Sequence, residues 1–279
     1  MNELGMIVNL RKPEAVNMAR NILRWGQENN CTFLLPHQEA SALTTTGLDD
    51  EQWLKTVKLA LVIGGDGTFL RAARYIMGTD IILHGVNLGH LGFLASSRPD
   101  EVEHDLMNIV QDNFTVLERR VLRCILYHDG APLHRLYALN DVVLTTNAIA
   151  RLLQIEIRFN NEFFCVLPTD GVIVSTPTGS TGYALSAGGP VTDPAVHCMI
   201  MTPVCPHSLQ HASYVISDRA MLRFHLREDR QHSAELQIDG QSCRPLQAGD
   251  TVYVTGAEQT IRLIRFQPCR FFTLTRKKL

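Results

Sequence analysis

The sequence predicts an α/β plus all-β fold: an N-terminal doubly wound, Rossmann-like α/β domain and a C-terminal β-sandwich-like domain, with the active site in the cleft between them. Three observations carry this. Up to residue 115, buried-strand runs alternate with helical runs, the order that builds a parallel sheet covered by helices. From about Phe114 the texture changes to short segments of period-two alternation separated by turn residues, the pattern of an antiparallel β domain. A glycine cluster, Gly64 to Gly67, stands where a strand empties into a helix, the place where open α/β sheets bind ligands.

The elements follow in order. GMIVNL reads as a buried strand, and Pro13 opens a helix that puts Val16, Ala19, Ile22, Leu23 and Trp25 near one face. CTFLLP is the next strand, DDEQWLKTV a helix, LALVI a third strand, TFLRAARYIM a helix starting near Thr68, DIILHGVN a fourth strand, and PDEVEHDLMNIVQD a helix beginning on Pro99. The β half reads as VLRCILYHDG, LHRLYALNDVVLTT, LLQIEIRFNNEFFCVL, DGVIVST, AMLRFHLRE, AELQIDG, TVYVTG and TIRLIRF, with Asn160-Asn161 as a tight hairpin turn. The expected division is 1–115 for the phosphate-binding α/β domain, 116–258 for the mostly-β domain, and 259–279 for a C-terminal segment packing back on the first domain. No internal repeat or long linker interrupts the chain, so the two halves are expected to pack directly.

Composition bounds the function. The chain has 279 residues, 45% hydrophobic and 19% charged, ordinary for a folded protein. Twenty-six basic and 28 acidic residues leave a net charge of −2, so no global field gathers nucleic acid or an anionic membrane, and neither is expected as a partner. Seven scattered cysteines without a CxxC spacing argue against a disulfide framework or zinc site and point to a reducing, cytoplasmic setting. The segment MNELGMIVNL lacks the basic start and length of a signal peptide.

The strongest local signal is LALVIGGDGTFLRAAR. Three glycines in four residues, Gly64, Gly65 and Gly67, let the backbone turn sharply and a ligand approach closely; the following helix offers N–H groups and a positive dipole end to phosphate. The Rossmann fingerprint fails because Leu70 stands at its third glycine, and a Walker loop fails because no Gly-Lys pair exists. Asp66 is the informative oddity. A carboxylate beside phosphates is repelled unless it accepts a proton, binds a metal or bonds a sugar hydroxyl; the plain alternative is that it caps the helix.

A second cluster, LPTDGVIVSTPTGSTGYALSAGGP, supplies hydroxyls, glycines and one ring, Tyr183, suited to a nucleotide; the bland reading is a loop whose side chains cap turns. In ALNDVV, Asn140 and Asp141 can fork across a ribose diol, although an Asn-Asp pair is more often a turn.

GGDG, HGVNLGHLGFL, ND, DG at Asp170-Gly171, TPTGSTGYALSAGGP and TPVCPHSL, in this order, resemble the bacterial NAD kinases over nearly the whole chain. The resemblance implies transfer of the γ-phosphoryl of ATP, or of a polyphosphate phosphoryl, to the 2′-hydroxyl of the adenosine ribose of NAD. It implies NAD and ATP or polyphosphate as ligands, Mg²⁺ accompanying ATP, no protein-held metal, and a homodimer or homotetramer. Asp66 matches the family's catalytic carboxylate, and Gly64, Gly65, Asp66 and Gly67 its phosphate turn. Arg71, one turn into the helix, would neutralise phosphate charge; a solvated helix arginine is the alternative. Asn140, Asp141, Thr181, Gly182, Tyr183, Ala184, Leu185 and Ser186 would line the dinucleotide, with Asp170 at its nicotinamide end and Arg151 and Gln241 as further contacts. IDGQ also reads simply as an Asp-Gly hairpin.

One departure stands out. Pro168 occupies a position where several relatives carry arginine, and proline offers neither charge nor N–H. His207 and His211 have metal-ligand spacing if helical, but Pro206 favours a structural role. Lipid kinases and phosphofructokinases share a GGDG-like turn, and a silent NAD-binding module would keep the dinucleotide segment. The TGSTGYALS segment argues against the first pair, and the intact Asp66 against the second.

Overall fold

The computed structural model describes residues 2–89, 92–94, 97–146, 152–208, 212–227, 234–266 and 271–278. By internal contacts the chain forms two compact units, Met1–Glu118 with Ile261–Leu279, and Arg119–Thr260.

The first unit follows the alternation of its sequence. Its elements are β1 (Glu3–Val8), α1 (Pro13–Glu28), β2 (Thr32–Leu34), α2 (His37–Leu43), α3 (Asp50–Thr56), β3 (Leu59–Gly64), α4 (Asp66–Tyr75), β4 (Ile82–Asn87) and α5 (Val102–Val110). The parallel strands run in the order β2-β1-β3-β4, so the chain leaves β1 toward one side and returns on the other. The carboxyl ends of β1 and β3 therefore flank a topological switch point. All six residues of β3 are buried, as a central parallel strand covered on both faces requires. Pro13 opens α1, which buries Ala15, Ala19, Ile22 and Trp25 on one face. Asp49 caps α3 by accepting from Gln52 N at 2.8 Å, and the buried Trp53 there donates Nε1 to Leu34 O at 2.9 Å.

The second unit is two antiparallel sheets. Its strands are β5 (Thr115–His128), β6 (Ala131–Ala138), β7 (Asp141–Thr146), β8 (Leu153–Phe159), β9 (Glu162–Thr169), β10 (Gly171–Ser175), β11 (Cys198–Val204), β12 (Tyr214–Ser217), β13 (Leu222–Leu226), β14 (Ala234–Ile238), β15 (Ser242–Leu246) and β16 (Thr251–Arg265), with a short helix α6 (Tyr183–Ser186). One sheet has the order β12-β11-β10-β7-β14-β15; in the other β16, β13, β8 and β9 are neighbours, and β5 pairs with β16 and β6. Alternate residues of both inner faces, among them Val142, Leu144, Met199 and Leu236 against Ile155, Phe224 and Val252, form one buried core. The Asn160-Asn161 turn has φ of 48° and 69°, the left-handed pair a two-residue hairpin demands.

Several boundaries differ from the sequence reading. The helix after GGDG starts at Asp66, two residues earlier than Thr68, and the one expected from Pro99 begins only at Val102. TVYVTG and TIRLIRF are one strand, β16: Thr251 to Val254 pair with β13, while Arg262 and Leu263 pair with Ile82 and Leu83 of β4 in the first unit's sheet. The run LHRLYALNDVVLTT breaks at Leu139-Asn140. Helices α2 and α6 and strands β11, β12 and β15 were not legible. Pro203 sits inside β11 without harm because β12 pairs only as far as Met201. Helix α7 (Phe271–Lys278) closes the described chain. No helix among the described residues is long and apolar enough to cross a membrane.

Candidate active site

Gly64 ends β3 and Gly65 is the N-cap of α4. A Cβ at Gly64 would lie 2.3 Å from Thr68 Oγ1, whereas one at Gly65 would meet nothing within 4 Å. The first glycine is thus demanded by the turn, and the second leaves an open face over the amino end of the helix. Gly67, two residues further on, is exposed.

Asp66 does not cap its helix. Its half-buried carboxylate reaches the segment after β4, accepting from Phe93 N at 3.2 Å and Leu94 N at 3.4 Å. Close approach is possible because residue 92 is glycine: a Cβ there would fall 2.0 Å from Asp66 Oδ1. The HGVNLGHLGFL motif thereby acquires a physical role as the backbone seat of the turn's carboxylate, although His90 and Leu91 lie outside the described residues. Hydrogen bonds from these two backbone amides orient the carboxylate.

Arg71 is partly exposed, with its side chain 44% accessible, yet it is tied to its own unit. Its Nη2 donates to Val8 O at 2.9 Å and to Glu39 Oε1 at 3.2 Å; Glu39 is only 3% exposed. Arg71 and Glu39 line a cavity of about 540 Å³ with Ile7, Pro36, Asp49 and Tyr75 among its walls.

In the second unit three sequence segments meet. Thr176 N donates to Asn140 O at 2.8 Å, Thr176 Oγ1 donates to Leu139 O at 2.6 Å, and Gly179 N donates back to Thr176 Oγ1 at 3.0 Å. A Cβ at Gly179 would lie 2.1 Å from Asn140 O, so this glycine lets the hydroxyl-rich loop lie directly on the Asn-Asp pair. The Cβ position of Gly182 is 3.9 Å from Asn140 Nδ2 and 4.0 Å from Asp141 Oδ2, which brings both side chains to one small hollow. Asn140 Oδ1 is buried without a hydrogen-bond partner among the described residues, an acceptor left for a ligand donor.

Asp239 is the residue sequence reasoning missed. The Asp239-Gly240 turn, with φ of 52° and 61°, is the expected hairpin turn, but its acid also gathers backbone amides: Leu139 N at 3.1 Å, Asn140 N at 2.7 Å and Asp141 N at 3.1 Å. Burial, with the Asp239 charge second, pushes the Asp141 carboxyl up to about 7. The signal present in the sequence was only an Asp-Gly turn; its partners lie 98 to 100 residues away.

Thr181 ends a 3₁₀ turn with its Oγ1 on Thr178 O at 3.4 Å, and in α6 Ala184 is buried, Leu185 half-buried and Ser186 exposed. Tyr183 is 43% exposed, a ring face free of the core. Half-buried Asp170 links β9 to β10, its N–H donating to Val204 O and its carbonyl accepting from Thr146 N; Gln241 is exposed beyond the Asp-Gly turn. Arg151 and His211 lie outside the described residues. Pro168 sits in the outermost strand, β9, its carbonyl accepting from His207 N at 2.8 Å.

Fold and site fit the class of nucleotide-dependent phosphotransferases: an α/β unit with a carboxylate-bearing glycine turn and a β-rich second unit. The family model of the ATP-NAD kinase N-terminal domain matches residues 4–114, and that of the ATP-NAD kinase C-terminal domain matches residues 139–266. The NAD kinase of Syntrophotalea carbinolica is 34% identical over 100% of this chain and 98% of its own, and that of Moorella thermoacetica is 37% identical over 100% and 89%. Among solved structures, yeast NADH kinase complexed with NADH superposes with a TM-score of 0.91 at 22% identity, covering 100% of this chain and 87% of that one. An NAD kinase from Archaeoglobus fulgidus in complex with ATP gives 0.77 at 22%, covering 99% and 97%. The chain belongs to the NAD kinase family, and is an enzyme with NAD and ATP as the family's substrates.

Proposed function

We propose that the chain transfers the γ-phosphoryl of ATP to the adenosine 2′-hydroxyl of NAD, with Asp66 as general base. The observation that carries this is the Asp66 carboxylate, held by two backbone amides at the amino end of α4 beside the open face of Gly65. Donor phosphates lie along Gly64, Gly65 and Gly67, where helix N–H groups and the dipole offset their charge. Asp66 takes the proton of the attacking 2′-hydroxyl as that oxygen bonds to phosphorus, the bond to the ADP oxygen breaks, and ADP departs.

In the second unit Asn140 and Asp141 hold the adenosine ribose and base, the segment Thr181 to Ser186 lines the dinucleotide with Tyr183 stacking, and Asp170 with Gln241 and Arg151 completes its contacts. The buried, unpartnered Asn140 Oδ1 supports this reading, because a ligand hydroxyl or amine would satisfy it. Mg²⁺ would enter on the ATP phosphates, as is usual for that hard, strongly hydrated ion. Arg71, whose Nη2 also fixes the end of β1 through Val8 O, adds positive charge one turn into α4.

Incubation with NAD, Mg²⁺ and either ATP or polyphosphate, read by an NADP-specific dehydrogenase, tests the reaction and its donor. NADP is expected with ATP. Phosphorylation of a lipid or sugar without NADP would overturn the acceptor, and crystals soaked with NAD that place Asp66 away from the 2′ oxygen would overturn its role. Assembly as a dimer or tetramer belongs to the same proposal and is read by light scattering.

A further inference from the structure

We infer that Asp239 is the positioning residue of the dinucleotide site, fixing the backbone of Leu139 to Asp141 so that the Asn140 and Asp141 side chains face Gly182. The inference rests on the reading that Asn140 and Asp141 hold NAD.

Three consecutive amides converge on one carboxylate: Leu139 N on Oδ2, Asn140 N and Asp141 N on Oδ1, and the bond is returned by Asp239 N to Asp141 O at 3.0 Å. Such a nest fixes the direction of each residue it contains. The carboxylate is well placed to do so, since Asp239 is 7% exposed and held in a left-handed turn that Asp and the following Gly240 adopt readily. Thr176 grips the same tripeptide through its carbonyls, Leu139 O and Asn140 O. The tripeptide is therefore clamped on its donors by Asp239 and on its acceptors by Thr176, and its Asn140 and Asp141 side chains are left beside Gly182.

The β7 ladder does not need this clamp. Val142 already pairs with Val174 and Ile238 on either side, so the strand itself persists without the Asp239 carboxylate. A second consequence is electrostatic: the Asp239 charge is one of the two causes that raise the Asp141 carboxyl.

The test compares wild type, D239N, N140A and N140A/D239N by calorimetric titration with NAD from about pH 5 to about pH 9. D239N keeps the size of the side chain but replaces one acceptor with a donor and removes the charge. Its affinity for NAD is expected to fall about tenfold, with kcat at saturating NAD and the ATP KM within about twofold of wild type. The pH midpoint of NAD affinity is expected to move to lower pH, which a purely structural role would not cause. The losses in the double variant are expected not to add, because both act through one pair of side chains. Should D239N be less stable, the rise in Tm on adding NAD still reads the site, and is expected to shrink.

Wild-type affinity and an unmoved midpoint in D239N, alongside a loss in N140A, would overturn the role of Asp239; so would additive losses. If N140A also binds NAD normally, the dinucleotide reading itself fails.

Discussion

Gly92 and Asp66 occupy one space: a single added carbon on the glycine would stand 2.0 Å from the carboxylate's Oδ1. Gly92→Ala must therefore displace Asp66 or the segment that seats it, although residue 92 carries no chemistry. We expect kcat to fall by at least about tenfold, the scale of a sub-ångström to 1 Å misplacement of a reacting group, with NAD affinity unchanged. Steady-state kinetics beside calorimetry decides it; normal turnover would mean that Asp66 tolerates another seat.

Asp66→Asn keeps the shape and removes the base. The expected loss in kcat is about 10²- to 10⁴-fold, with little change in the dissociation constant for NAD. Single-turnover measurement of NADP formation checks this, and a variant with near-normal chemistry would end the proposed role.

Arg71→Met leaves Glu39, 3% exposed, without its cation. Because the arginine side chain is itself 44% exposed, the cost is expected at about 1–3 kcal/mol rather than that of a fully buried pair. Adding Glu39→Gln should recover part of it in thermal denaturation. A loss of ATP affinity with unchanged stability would instead return Arg71 to the donor phosphates.

Asp141 makes stability fall with pH. Its carboxyl is raised to about 7 in the fold from 3.8, so the folded state binds the extra proton between those values. The contribution is complete below the unfolded value, is lost as pH rises toward about 7, and is flat above. Asp141→Asn should be more stable than wild type at about pH 8, by on the order of a few kcal/mol, with the advantage shrinking toward about pH 4. Denaturant melts at the two pH values measure it; a constant difference would remove Asp141 as the titrating group.

What could be read from sequence was what repeats or acts locally. The six buried residues of β3 and the Asn160-Asn161 turn declare themselves in their own letters, because burial on both faces and left-handed φ each restrict residue type. The GGDG turn was legible for the same reason. The seat of Asp66 on Phe93 and Leu94 was not, since backbone amides carry no letter, and only Gly92 marks the place. Asp239 read as a turn former because its second task depends on residues a hundred positions away. The Arg71–Glu39 pair was not legible because Glu39 belongs to a helix too short to show a periodic pattern.

Strand β16 carries Arg262 and Leu263 to β4, and Ile264 into the first unit's core. During synthesis β4 consequently emerges long before its outer neighbour and must wait with one row of amides and carbonyls uncovered. A nascent chain halted before residue 261 therefore presents that margin to wrong strand pairing.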